Sequence, residues 1–317
     1  MRRVYVTGGS GFLGHSVVSG LAALTGEVER VVSADVRAPS RIVPNAGYER
    51  VDVTDAAAVS EQLRRHRIDT VVHLAAIVNP GTEVPRDRSY DVDVTGTRNV
   101  LDACRVNGIS RIVYSSSGAA YGYHADNPSW IDERTPLRGN PEFVYADHKR
   151  LVEEMLAAER TANPGLEQVI LRIGTILGES VDNQITALFS RKRLLVIRGS
   201  PSPFVFIWDD DVVAIMIRAV LGGPTGAFNV AGDGALTMAE IAVVLGKPTL
   251  TVPEPLLRAA LTVGHRLGLT RYGPEQTVFL KYRPVLLNTK LKQVFGYLPR
   301  RTSREAFEAW RTRGQLD

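Results

Sequence analysis

Residues 4–14 read VYVTGGSGFLG: a short apolar run, a glycine-rich turn, and the opening of a segment with helical apolar spacing. Gly8, Gly11 and Gly14 follow a GxxGxxG spacing between the expected strand (Val4–Thr7) and the expected helix (Phe12–Leu24). Such a turn needs a residue free to take φ > 0, a backbone without Cβ where a pyrophosphate approaches, and a small residue where the helix packs on the strand. The unpaired N–H groups and positive dipole end of the helix then face the phosphates. Phe12 and Leu13, which open the helix, join the three glycines as candidate cofactor contacts.

Outward from this turn, strand-like and helix-like segments alternate. Strands are expected at Arg30–Asp35, Asp69–Ala76, Arg111–Ser115 and Gln168–Ile173, and helices at Ala56–His66, Thr95–Asn107 and Tyr145–Thr161. That alternation indicates βαβ units and a parallel sheet in an α/β fold. Beyond Gly174, prolines at 201, 203, 224, 248, 253, 255, 274, 284 and 299 break the pattern into short pieces. The division expected is residues 1–174 as a nucleotide-binding domain and 175–317 as a smaller lobe, the chain crossing back to the first domain around 204–231.

The chain has 317 residues, 44% of them apolar and 23% charged, as in an ordinary globular protein. Cys104 is the only cysteine, which excludes an intramolecular disulfide and a thiolate zinc site; no metal is expected. No run approaches the ~18 apolar residues of a membrane span, and the N-terminus lacks a signal-peptide pattern. A cytoplasmic protein without membrane insertion and without a nucleic-acid partner is expected. The net charge of +4 is unevenly placed, since residues 258–317 hold 12 basic and 4 acidic residues. This reads first as a solvated basic face and second as a preference for an anionic ligand.

Asp35 ends the second strand, 21 residues after Gly14, where a carboxylate would hydrogen-bond the adenosine ribose of NAD and repel the 2′-phosphate of NADP. Arg37 would tolerate that phosphate, but Asp35 favours NAD over NADP. Asp52, with Val53 beside it, is a candidate for the adenine amine or else a cap for the following helix. Tyr145 and Lys149 form YxxxK, a spacing that places both side chains on one helix face. An ammonium beside a phenol lowers its pKa, so Tyr145 would exchange a proton with a substrate hydroxyl. Ser117, in YSSSGAAYG after a strand, would hydrogen-bond the same oxygen.

Together these motifs resemble the extended short-chain dehydrogenase/reductase family, in its NAD-dependent epimerase/dehydratase branch. TGGSGFLG resembles the family's nucleotide turn, VVHLAA (71–76) its fourth-strand motif, YSSSGAAYG and YADHK its catalytic segments, and LRIGTILG (171–178) its passage into the substrate lobe. FVFIWDDDV (204–212), FNVAGDG (228–234) and GYLP (296–299) are similar to later family segments. The resemblance implies a Rossmann-type doubly wound parallel sheet with a small C-terminal substrate lobe. It implies Ser117, Tyr145 and Lys149 as catalytic triad, and Leu74, Ala75, Ala76, Tyr145 and Lys149 as cofactor contacts beside Gly8, Gly11, Gly14, Asp35 and Asp52. A homodimer through the helices around 92–106 and 145–161, whose apolar stripes exceed what one sheet face needs, is also implied.

Four sites, the last a dipeptide, depart from the family pattern. Asp93 stands for an asparagine, Ile173 for a proline, and His148 for a small residue, as a surface or interface histidine. Phe204-Val205 stands where sugar-nucleotide epimerases place Arg-Asp, and a phenyl ring cannot clamp a pyrophosphate. Arg191, Arg198 and Arg271 are possible substitutes. The alternation of Phe204, Phe206 and Trp208 reads as core, or else as an aromatic pocket. The expected partner is a small-molecule substrate. The expected activity is hydride transfer at a secondary alcohol carbon, on a nucleotide sugar or alternatively as a net dehydrogenase on a lipid-like or secondary-metabolite alcohol. A non-catalytic nucleotide-binding regulator is the third reading; segments around 78–90, 179–200 and 265–283 are expected to shape the pocket.

Overall fold

In the computed structural model, residues 1–78, 85–179, 181, 184–270 and 272–313 are described. Eleven strands run β1 (Arg2–Thr7), β2 (Val28–Asp35), β3 (Ala46–Arg50), β4 (Thr70–His73), β5 (Arg111–Ser117), β6 (Glu167–Ile173), β7 (Thr175–Leu177), β8 (Leu194–Ile197), β9 (Phe206–Trp208), β10 (Gly226–Val230) and β11 (Thr249–Val252). Seven of them form one parallel sheet in the order β10-β6-β5-β4-β1-β2-β3. The sheet is doubly wound, as expected. Its central strands are continuous apolar runs because both faces are covered. β3 was not expected: AGYER is polar and pairs along one edge only, so it has no buried run to reveal it.

The strand order reverses between β1 and β4, and the crevice at their carboxyl ends is where such sheets bind ligands. One face is covered by α1 (Phe12–Ala22) through Val17, Val18 and Leu21. The other is covered by α2 (Ala56–Arg65), then by α3 (Arg86–Tyr90), a π-helical turn (Asp91–Thr95) and α4 (Gly96–Val106), and by α5 (Val144–Ala162). Asp55, not Asp52, caps α2, accepting the Ala58 N–H at 3.0 Å.

The later chain adds α6 (Gln184–Phe189), α7 (Asp209–Leu221), α8 (Met238–Leu245), α9 (Glu254–Arg266), α10 (Gln276–Lys281) and α11 (Ser303–Arg313). α7 joins α1 on the sheet, through Val212, Ile215 and Met216, and β10 extends the sheet beside β6. Before and after these returns, β7 pairs with β9 and β8 with β11. A separate apolar cluster forms around Phe189, Phe204, Phe206, Trp208 and Phe307. The alternating aromatics at 204–208 thus belong to a buried cluster, of which Phe204 also reaches the cavity.

The apolar residues of α4 and α5 are used up in packing on the sheet. Of the large apolar side chains of these two helices, only Val106 is exposed, and their outer faces carry the ion pairs Arg105–Asp102, Arg150–Asp147 and Arg150–Glu154. The surplus apolar stripe expected there is absent among the described residues: the periodicity that suggested it is accounted for by one buried face.

Candidate active site

The carboxyl ends of β1, β2, β4, β5 and β6 open into a cavity of about 1100 Å³. At one end lies the turn after β1. Gly8 takes φ +68°, and a Cβ there would stand 2.8 Å from the Ala75 nitrogen, so only glycine lets this turn meet the loop after β4. Gly14 packs α1 onto the turn, where a Cβ would fall 2.1 Å from the Gly8 carbonyl. Gly11 is the N-cap of α1 and supplies no side-chain cap, and the first-turn N–H groups of Phe12, Leu13 and Gly14 have no partner among the described residues. These are free donors at the positive end of a helix, facing the cavity that all of them line.

Asp35 is buried at the end of β2 and accepts the Ser10 N–H at 3.1 Å and the Arg37 N–H at 3.0 Å. An ionised carboxylate retains further acceptor capacity toward the cavity. The Arg37 side chain is exposed and stands 3.5 Å from that carboxylate. Asp52 and Val53 line the next part of the wall; Asp52 accepts from Thr54 and holds Arg88 at 2.6 Å. Leu74, Ala75 and Ala76 form the floor after β4. Thr7 pins that floor to β1, its hydroxyl meeting His73 at 2.6 Å and the Leu74 N–H at 3.2 Å.

Ser117 and Tyr145 face the same cavity from β5 and α5. Burial pushes the Tyr145 phenol up to about 12, while hydrogen bonding with the Ser117 hydroxyl acts in the opposite direction. Lys149, one turn further along α5, donates to the Ser115 carbonyl at 2.7 Å and the Tyr114 hydroxyl at 3.0 Å. Its ammonium lies 5.6 Å from the Tyr145 ring centre. Burial pulls Lys149 down to about 8. Desolvation is the largest influence on the Tyr145 phenol in the chain alone. Behind this group Glu153 is clamped by Arg172 at 2.7 Å and bonded by Ser116, which braces β5 against α5.

At the other end, the wall comes from scattered segments: Tyr123 and Phe143, Pro203 and Phe204, Phe279 of α10, and Arg283. The Arg283 guanidinium lies 3.7 Å from the Phe204 ring centre and donates to the Ser202 carbonyl at 2.8 Å. Its Nε is buried without a partner, and burial draws its pKa down to about 9. No carboxylate among the described residues pairs with it. Sequence reasoning missed Arg283, because it lies on an irregular stretch 79 positions after the phenylalanine on which it stacks. Arg191 and Arg198 are exposed and away from the cavity, and Arg271 lies outside the described residues. His148, expected at the surface or at an interface, is buried within the chain against Asp93.

The profile of the NAD-dependent epimerase/dehydratase family matches residues 4–231. Among curated proteins, an uncharacterized protein of Mycobacterium bovis is 25% identical over 310 residues, covering 96% of this chain and 82% of the relative. A UDP-glucose 4-epimerase of Lactobacillus helveticus is 32% identical over 185 residues, 58% of this chain and 54% of that protein. Among solved structures, the UDP-glucose 4-epimerase of Thermus thermophilus in complex with NAD superposes with a TM-score of 0.74 at 24% identity, over 99% of both chains. That of Thermotoga maritima with UDP-glucose gives 0.76 at 20% identity, over 99% of this chain and 100% of the other. At these identities the structures establish a common fold. The matched profile, which takes in the glycine turn, the floor after β4, Ser117, Tyr145 and Lys149, places the chain in the NAD-dependent epimerase/dehydratase family, as an NAD-dependent enzyme.

Proposed function

We propose that the protein transfers hydride at a secondary alcohol carbon of a nucleotide sugar, as an epimerase or dehydratase that regenerates its NAD. The observation that carries this reading is one cavity with free helix N–H donors and Asp35 at one end, Ser117 and Tyr145 in the middle, and at the other Arg283, which has no carboxylate partner among the described residues. The donor set fits a dinucleotide. Gly8, Gly11, Phe12, Leu13 and Gly14 would receive the pyrophosphate, Asp35 the adenosine ribose, Asp52 and Val53 the adenine, and Leu74, Ala75 and Ala76 the floor beneath it. Asp35 favours NAD over NADP, Arg37 being exposed and held toward that same carboxylate.

Bound NAD supplies the hydride acceptor. Tyr145 holds or takes the substrate hydroxyl proton, Ser117 donates to the same oxygen, and Lys149 orients the nicotinamide ribose and offsets charge on the phenol oxygen. Arg283 takes the anionic part of the substrate, the role that Phe204 cannot fill, as a planar fork stacked on that ring. A homodimer and a cytoplasmic location belong to the same reading. No described helix is long and apolar enough to cross a membrane.

A second reading, net oxidation of a less polar alcohol, is favoured by the aromatic wall of Tyr123, Phe143 and Phe279, whose ring centres lie 5.1–6.3 Å apart. Incubation with NAD and UDP-glucose separates the two. Isomerised or dehydrated sugar without accumulating NADH supports the first. Stoichiometric NADH, or turnover of apolar alcohols alone, replaces it with the second.

A further inference from the structure

Two of the departures from the family pattern meet in space. His148, buried on α5, places Nδ1 2.9 Å from Oδ2 of Asp93, buried in the π-helical turn before α4. The other oxygen, Oδ1, accepts the Ile77 N–H at 2.8 Å. One carboxylate thus ties the cavity floor after β4 to the catalytic helix, through the residue that directly precedes Lys149. An asparagine would give the same bond to Ile77 but no charge, and a small residue at 148 would leave the second oxygen without a partner.

We propose that Asp93 and His148 act as one positioning unit, which locks the cavity floor to α5 and holds one carboxylate against the segment that carries Lys149. This rests on the role given above to Lys149. The Asp93 carboxylate acts to raise both the Lys149 ammonium and the Tyr145 phenol. The groups facing Lys149 are few: Tyr114 and the Ser115 carbonyl on β5, His73 on β4, Tyr145 and Glu153 on its own helix, and Asp93 across from it. His73 is held neutral by complete burial and by Lys149 itself. Glu153 is already clamped by Arg172, so its charge is matched locally. A carboxylate only accepts hydrogen bonds, so in this contact the His148 ring nitrogen is the donor.

The test reads Lys149 directly. The chain has six lysines, so isotope-labelled lysine side chains can be titrated by NMR in the full chain, with Lys149 assigned by the disappearance of its signal in Lys149→Met. Asp93→Asn keeps the shape and the Ile77 bond; it should move the Lys149 midpoint down by about one pH unit and leave the other five in place. His148→Ala keeps the charge and removes the tie. Its Lys149 midpoint should stay at or above that of the wild type, while NAD affinity, measured by calorimetry, falls. An unmoved midpoint in Asp93→Asn, or a downward shift in His148→Ala, overturns the proposal. The NMR readout needs no cofactor, so it stands apart from the role of Lys149 in binding NAD. That role fails separately if Lys149→Ala binds NAD like the wild type.

Discussion

The two ends of the cavity are built in different ways. The cofactor end comes from the first residues after β1, β2 and β4, where regular strands deliver each side chain to the same edge of one sheet. The end proposed for substrate comes from pieces around 123, 143, 203, 279 and 283, none of them in the seven-stranded sheet. A regular scaffold makes the positions at its strand ends repeatable from one sequence to another. The excursions let substrate contacts change without disturbing the sheet. Under the proposed function Phe204 and Arg283 would be an instance: the cation comes from a distant segment and stacks on the ring at 204.

The contrast predicts that substitutions at the two ends separate in what they damage. The largest effect belongs to the chemistry between them. Tyr145→Phe keeps the ring and removes the proton, so turnover of the accepted sugar nucleotide should fall ~10²–10⁴-fold while NAD affinity stays near that of the wild type. Loss of NAD binding in this variant would show that the two ends are not separable.

Next is Arg283→Met, which keeps the stem over Phe204 and removes the fork. A charge-assisted hydrogen bond contributes ~1.5–3 kcal/mol, so UDP binding, followed by calorimetry with NAD present, should weaken ~10- to 150-fold. NAD affinity should not change. If UDP binds equally well, the anionic part of the substrate lies elsewhere.

Asp35→Ala addresses the opposite end. The gap between NAD and NADP affinity should narrow by ~1–3 kcal/mol, with no effect on UDP. Tighter binding of NADP by the unmodified protein would give Arg37 the deciding role.

The smallest effect is on stability, and it follows from burial of Lys149. Its folded pKa, about 8, lies below the ordinary lysine value of 10.5. Below pH 8 both folded and unfolded chains hold the proton and the cost of burying the ammonium is felt in full. Between about pH 8 and 10 the unfolded chain holds more protons at this site, so the contribution of Lys149 to stability rises with pH. The melting temperature of the wild type relative to Lys149→Met should therefore climb by a few degrees over that window. A flat difference would mean that Lys149 is better solvated or better paired than its contacts indicate.

The sequence by itself determined the parallel sheet, the glycine turn and the identity of the residues at the strand ends. Their signals are local: a GxxGxxG spacing, an i,i+4 pair on one helix, and apolar runs bounded by turns. β3 escaped because an edge strand needs no buried run, and Asp55 rather than Asp52 capped α2 because a one-turn shift leaves the local pattern unchanged. Only the tertiary structure decided that His148 is buried on Asp93, 55 positions away. It alone decided that Arg283 stands on Phe204, and that burial raises the Tyr145 phenol. The physical reason is common to all three. Desolvation and long-range pairing depend on which surfaces the fold brings together, and neither leaves a periodic mark along the chain.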